Sequence, residues 1–264
     1  MVEQWTENPC VPGSIPGGTT KTRIVLFGFF VLFLKFFSVK STMTNKKAFL
    51  FDLDGVLVDT TKYHFLGWQK IAEQIGIEFT PEHNEQLKGV SRIGSLDLIL
   101  QLGNIQISQD DKNKLLVQKN EDYLSYLKKM DESEIMPGVL NVLDYLKNRK
   151  QLIVLGSASK NARIILEKTN TINFFDAIVD GNDVTTPKPN PEVFLRATQL
   201  VNVSNENAIV FEDSVAGIQA ANNANMTSVG IGDEKILYEA KYLFKNFDFM
   251  DVSFLESLIN LKNY

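Results

Sequence analysis

The run Ala48-Phe49-Leu50-Phe51 has no polar residue on either alternating face. It ends in two carboxylates two residues apart, Asp52 and Asp54, followed by Gly55 and Val56. A short run that is apolar on both faces reads as a strand buried on both sides, as in a parallel sheet covered by helices. In open α/β sheets ligands bind beyond the C-terminal ends of the strands. Strand alternation would point Asp52 and Asp54 the same way, and Gly55 lets the chain turn there. The stretch therefore predicts an acidic, metal-binding site at a sheet edge.

From Lys47 onward strands and helices alternate. Apolar strand candidates are 48–53, 152–156, 177–179, 208–211 and 227–231, with helical stretches such as 139–146, 191–200 and 215–224 between them. That order predicts an α/β fold with a Rossmann-like doubly wound parallel sheet. The long gap between the first and second strands holds only helix-like segments up to Met130. At 63–75 Phe65, Trp68, Ala72 and Ile75 share a helical face, and Gly76 can end that helix. Thr80-Pro81 starts another, and Ser108 opens a long one that carries Leu115, Leu116, Tyr123, Tyr126, Leu127 and Met130. The expected organisation is a catalytic core of residues 44–60 and 134–264 with an inserted helical cap domain, 61–133.

Residues 1–43 differ from the rest. Turn formers crowd Asn8 to Gly18, and Lys21 and Arg23 precede an apolar run, 24–34, that is broken by Lys35. The run is short for a membrane span. The segment is read as a mis-assigned start or a disordered leader, with Met43 as a possible start. A signal or anchor segment is the alternative, although no clear small-residue cleavage site follows. A single cysteine, Cys10, excludes an internal disulfide and fits a reducing, cytoplasmic compartment. The net charge of −5 and the lack of a sustained basic block argue against a nucleic-acid partner. The lack of a Cys/His cluster argues against zinc. An acidic chain that binds phosphate must do so locally, with a few placed cations or a metal.

Four short motifs fall where a parallel sheet would gather them at one edge. They are Asp52/Asp54; the run Gly156-Ser157-Ala158-Ser159-Lys160-Asn161; Lys188 in the stiff Pro187-Lys188-Pro189-Asn190-Pro191 loop; and Glu212-Asp213-Ser214. The hydroxyls, backbone amides and helix start of the second suit a phosphate. Asp52, Asp54, Glu212 and Asp213 are hard oxygen donors, the preference of Mg²⁺.

Together, in this order, the four motifs resemble those of the haloacid dehalogenase superfamily, and the resemblance spans about residues 46–264. Within the superfamily, Asp59-Thr60, Tyr63-His64-Phe65, Asn84 to Arg92, Ser157 to Asn161 and Phe174 to Ile178 resemble the β-phosphoglucomutase family. That family interconverts β-D-glucose 1-phosphate and glucose 6-phosphate through β-glucose 1,6-bisphosphate. The resemblance implies Asp52 as the nucleophile that becomes an aspartyl phosphate, and Asp54 as general acid and base. It implies Ser157 and Lys188 on the transferring phosphoryl group. Mg²⁺ would be held by Asp52, the backbone carbonyl of Asp54, Glu212 and Asp213. Gly89, Val90, Ser91 and Arg92 would hold the other phosphate, with Ser157, Ala158, Ser159, Lys160 and Asn161 completing the grip from the core. His64, Trp68, Ser95 and Lys119 match positions facing the sugar or the hinge. Pro187 departs from the family, which has a small residue before the lysine.

The expected protein is therefore a monomeric, Mg²⁺-dependent isomerase acting on a small sugar phosphate, with no membrane partner. A sugar-phosphate phosphatase on the same scaffold is the rival. A noncatalytic binding protein is a rival of another class, and retention of both Asp52 and Asp54 argues against it.

Overall fold

Apolar runs on successive segments are satisfied by a six-stranded, all-parallel sheet in the computed structural model, which describes residues 46–262. The leader reading of residues 1–43 lies outside the described residues. The strands are β1 (Ala48–Phe51), β2 (Leu152–Gly156), β3 (Ala177–Val179), β4 (Ala208–Glu212), β5 (Thr227–Ile231) and β6 (Tyr242–Phe244). Their order across the sheet is β3-β2-β1-β4-β5-β6, so β1 is central and the chain reverses direction across the sheet beside it. Phe51 is in register with Leu155 on one side and Phe211 on the other. This alignment brings the residues after β1 and β2, and the end of β4, to one edge.

β1 stops at Phe51 rather than at Leu53, because Gly55, with φ +78°, and the Leu53–Val58 hydrogen bonds fold the chain into a turn. β6, absent from the sequence expectation, adds a sixth strand beside β5.

Alternate residues of each strand serve opposite faces. Phe49, Phe51, Ile153, Leu155, Ile209 and Phe211 pack on one side with α5 (Val139–Asn148), α6 (Ala162–Lys168) and α9 (Val252–Ile259). Phe51 stacks on Phe211 with ring centroids 4.6 Å apart, a contact of about 0.5–1.5 kcal/mol beyond area burial. Ala48, Leu50, Val154 and Val210 pack on the other side with α7 (Glu192–Leu200) and α8 (Val215–Asn223). Cover on both faces is what allows uninterrupted apolar strands.

Between β1 and β2 lie α1 (Thr61–Gln74), α2 (Pro81–Glu85), α3 (Arg92–Leu102) and α4 (Gln109–Leu127). Trp68, Ile71, Ala72, Leu96, Ile99 and Leu100 form an apolar cluster of their own among these helices. Ser91 caps α3 by accepting from the Gly94 amide at 3.2 Å. Among the described residues no helix is long and apolar enough to cross a membrane.

Candidate active site

Three loops at the C-terminal edge of the sheet supply the charged centre. Lys188, from the loop between β3 and α7, buries its ammonium 2.6 Å from Asp52 Oδ1 and 2.5 Å from Glu212 Oε1, and reaches the Gly156 carbonyl at 3.3 Å. Three acceptors match the three N–H donors of the ammonium. Its loop is anchored by Glu192, whose Oε2 accepts from the Thr185 and Thr186 amides at 3.1 and 2.8 Å.

Burial pushes the Asp52 carboxyl up to about 7; Lys188 opposes that rise, and the negative charges of Glu212 and Asp54 add to it. Asp213 is driven well above the ordinary carboxylate range by burial and by its acidic neighbours Glu212 and Asp52. Burial works against the Lys188 ammonium, but Asp52 and Glu212 outweigh it and raise its pKa.

Glu212, among the expected ligands, is tied to its neighbours. One of its carboxylate oxygens is taken by Lys188, and Oε2 accepts from the Ser214 amide and hydroxyl at 3.0 and 2.9 Å. Glu212 therefore positions Lys188 and Ser214, while Oε1, with a single donor on it, keeps a lone pair. Among the described residues no group of three or more His, Cys, Asp or Glu side chains forms a metal cluster. The expected oxygen donors are Asp52, Glu212, Asp213 and the Asp54 carbonyl. Hard oxygen donors carrying excess negative charge fit Mg²⁺, which keeps several waters of its own.

Asp54 belongs to a different set of contacts. The Thr60 hydroxyl donates to its Oδ1, and His64 Nε2 stands 3.6 Å from the same oxygen. Burial pushes the Asp54 carboxyl up, but His64, Thr60 and the Lys119 charge outweigh it and hold the group below its usual value. Lys119 is buried between the Trp68 and Tyr123 rings, 4.9 and 4.6 Å from their centroids, and its Nζ lies 3.0 Å from His64 Nδ1. Burial, with Arg92 nearby, brings Lys119 down to about 7. A charged Lys119 donates to Nδ1, which places the remaining imidazole proton on Nε2, toward Asp54. His64 itself is held below its usual pKa by burial and by Lys119.

All the sequence-expected site residues except Glu212 line one cavity of about 620 Å³. From the helical segment come His64, Trp68, the Gly89–Arg92 turn, Ser95 and Lys119; from the sheet edge come Asp52, Asp54, Ser157 to Asn161, Lys188 and Asp213. Ser157 Oγ accepts from the Ser159 amide at 3.1 Å, and Asn161 Nδ2 donates to Asn120 Oδ1 of α4 at 3.2 Å. Gly89 has φ +72°, and a Cβ there would lie 2.6 Å from Ser214 Oγ, so only glycine permits this approach.

Thr60, Lys88 and Tyr123 also reach the site, and sequence reasoning assigns none of them a role. Thr60 and Lys88 sit inside motifs that carried the resemblance, which was the available signal. Tyr123 reads as a core position on a helix, and its buried hydroxyl has no hydrogen-bond partner among the described residues.

The haloacid dehalogenase-like hydrolase family matches residues 49–231. β-Phosphoglucomutase of Bacillus subtilis is 43% identical over 188 residues, covering 70% of this chain and 83% of that protein. The phosphorylated carbohydrates phosphatase of Thermotoga maritima is 28% identical over 201 residues, covering 74% of this chain and 91% of that one. The crystal structure of β-phosphoglucomutase from Clostridium difficile is similar with a TM-score of 0.78 at 38% identity, covering 81% of this chain and 97% of that one.

Proposed function

The chain belongs to the haloacid dehalogenase-like hydrolase family, and we propose that within it this protein is a β-phosphoglucomutase interconverting β-D-glucose 1-phosphate and glucose 6-phosphate. The observation that carries this reading is a single cavity lined both by the Asp52–Lys188–Ser157 group and by the Gly89–Arg92 turn. A mutase must hold two phosphates on one sugar, and this cavity offers a grip for each.

Asp52 is the nucleophile. Lys188 engages its Oδ1, so Oδ2 is the oxygen for attack on phosphorus, giving an aspartyl phosphate. Lys188 and Ser157 neutralise and orient the transferring oxygens. Asp54, held ionised by its neighbours, takes the proton of the attacking sugar hydroxyl, and in the reverse sense returns it to the leaving oxygen. Arg92 holds the other phosphate with its planar donor fork, helped by Ser91, Ser159, Lys160 and Asn161. His64, Trp68, Ser95 and Lys119 face the sugar. Asp52, Glu212, Asp213 and the Asp54 carbonyl would hold Mg²⁺, which when bound supplies charge neutralisation at the phosphoryl group. β-Glucose 1,6-bisphosphate is the intermediate that turns over and offers its other end to Asp52.

In this reading residues 61–133 act as a cap over a core of 44–60 and 134–264, and the cap excludes water from the aspartyl phosphate. The protein works as a monomer on small sugar phosphates in the cytoplasm. The lone Cys10 and the acidic charge support a reducing compartment and the lack of a nucleic-acid partner.

Phosphorus NMR tests the reaction. The protein with Mg²⁺, a trace of the bisphosphate and β-glucose 1-phosphate yields glucose 6-phosphate, while the α anomer is inert. The Thermotoga maritima relative keeps a sugar-phosphate phosphatase as the second reading. Inorganic phosphate as the dominant product would select it.

A further inference from the structure

Lys88 lies just before Gly89, in the turn between α2 and α3. Its ammonium stands 3.0 Å from Glu85 Oε2 and 3.8 Å from Asp213 Oδ2, with about a third of the side chain exposed. Asp59 adds a further negative charge around it. The approach is enforced by the backbone. Gly89 abuts Ser214, and Ser214 is itself fixed: its Oγ donates to Glu212 and accepts from the Gly217 amide at 3.0 Å. The turn therefore rests on a rigid wall, and Lys88 is carried to the acid beside that wall.

We propose that Lys88 is a positioning residue that ties the helical segment to Asp213 and competes with the divalent cation for that carboxylate in the resting protein. This rests on the reading of Asp213 as a metal ligand. A cation placed 3.8 Å from one of the carboxylates lowers the charge available to a second cation, and partial exposure keeps the effect modest. Linkage is reciprocal, so metal binding in turn weakens the hold of Lys88 on Asp213 and loosens the Gly89 turn.

Calorimetric titration of the full chain with MgCl₂, without sugar phosphate, tests the proposal. Lys88→Gln binds Mg²⁺ about two- to fivefold more tightly than the parent, and Lys88→Arg, which keeps the charge, restores the parent value. In hydrogen–deuterium exchange, Mg²⁺ speeds exchange across residues 86–90 in the parent and not in Lys88→Gln. Equal or weaker Mg²⁺ affinity in Lys88→Gln, or exchange indifferent to Mg²⁺ in the parent, overturns the role of Lys88. A parent chain that binds no Mg²⁺ overturns instead the metal reading on which the role depends.

Discussion

Helix α1 begins after Thr60 without a side-chain cap, because Thr60 has helical rather than extended backbone angles (φ −99°, ψ −3°), and its hydroxyl donates to Asp54. An N-cap threonine is ordinarily worth about 1 kcal/mol to its helix, and Thr60 makes no such contribution. Replacement by the isosteric valine therefore loses no cap, and Asp54, which faces the cavity, can accept from water. Thr60→Val is expected to change stability by no more than about 1–2 kcal/mol. Its effect on chemistry is larger in kind. Thr60 is one of the groups that hold the Asp54 carboxyl down against burial. Losing that donor raises the Asp54 pKa, so the base form disappears at a higher pH. The acid limb of the kcat/KM profile for β-glucose 1-phosphate should move to higher pH. A limb that stays in place while the melting temperature also holds would remove Thr60 from the proton-transfer machinery.

Helix α8 contains Gly217, a residue that helix propensity disfavours by about 1 kcal/mol against alanine. Its absent side chain has a purpose: a Cβ there would fall 1.9 Å from the Glu212 carboxyl carbon. Glu212 would have to swing away from Lys188, and breaking a buried ion pair on one side costs about 3–5 kcal/mol. The clash outweighs the propensity gain. Gly217→Ala is expected to lose about 2 kcal/mol or more in urea denaturation, and kcat should drop at least about tenfold as Lys188 loses its orientation. Glycine at this position is not legible in the sequence, because its partner lies outside the helix. The same reasoning separates the readable elements from the unreadable ones. β1, β2 and β4 announce themselves as apolar runs closed by polar loops, and their ends carry the site residues. β6 has three half-buried residues at the sheet edge, too few for a pattern. In α3 Leu96, Ile99 and Leu100 are buried while Ile93 and Leu102 are exposed, so no polar face marks the helix. Asp52, Ser157 and Lys188 were legible because they follow strands or sit in stiff loops. Thr60, Lys88 and Tyr123 act through partners brought near only by the fold.

Across the whole molecule, the sheet edge concentrates acids that the fold alone leaves short of countercharge. Asp52 is raised to about 7, chiefly by burial, and Asp213 is raised well above the carboxylate range by burial and its acidic neighbours. The sign follows from proton counting. For an acid raised on folding, the native state still holds its proton where the unfolded chain has released it. The contribution of Asp52 to stability therefore falls as pH rises from about 4, the ordinary carboxylate value, toward its raised value near 7, and that of Asp213 falls in the same direction. A divalent cation binds only the ionised carboxylates and stabilises the folded state by mass action. Its benefit must therefore grow over the same window. At 100-fold excess over the dissociation constant it is worth about 2.7 kcal/mol, or about 5–10 °C in a chain of this length. Thermal melts in MgCl₂ and in EDTA should differ by that amount at pH 7.5 and by less than half of it at pH 5.5. Asp213→Asn should abolish the difference at both pH values while raising the melting temperature in EDTA at pH 7.5, because one uncompensated charge is gone. A metal-free Asp213→Asn protein no more stable than the parent would mean that the acids are already neutralised within the fold, and that the edge stores no strain for a cation to relieve.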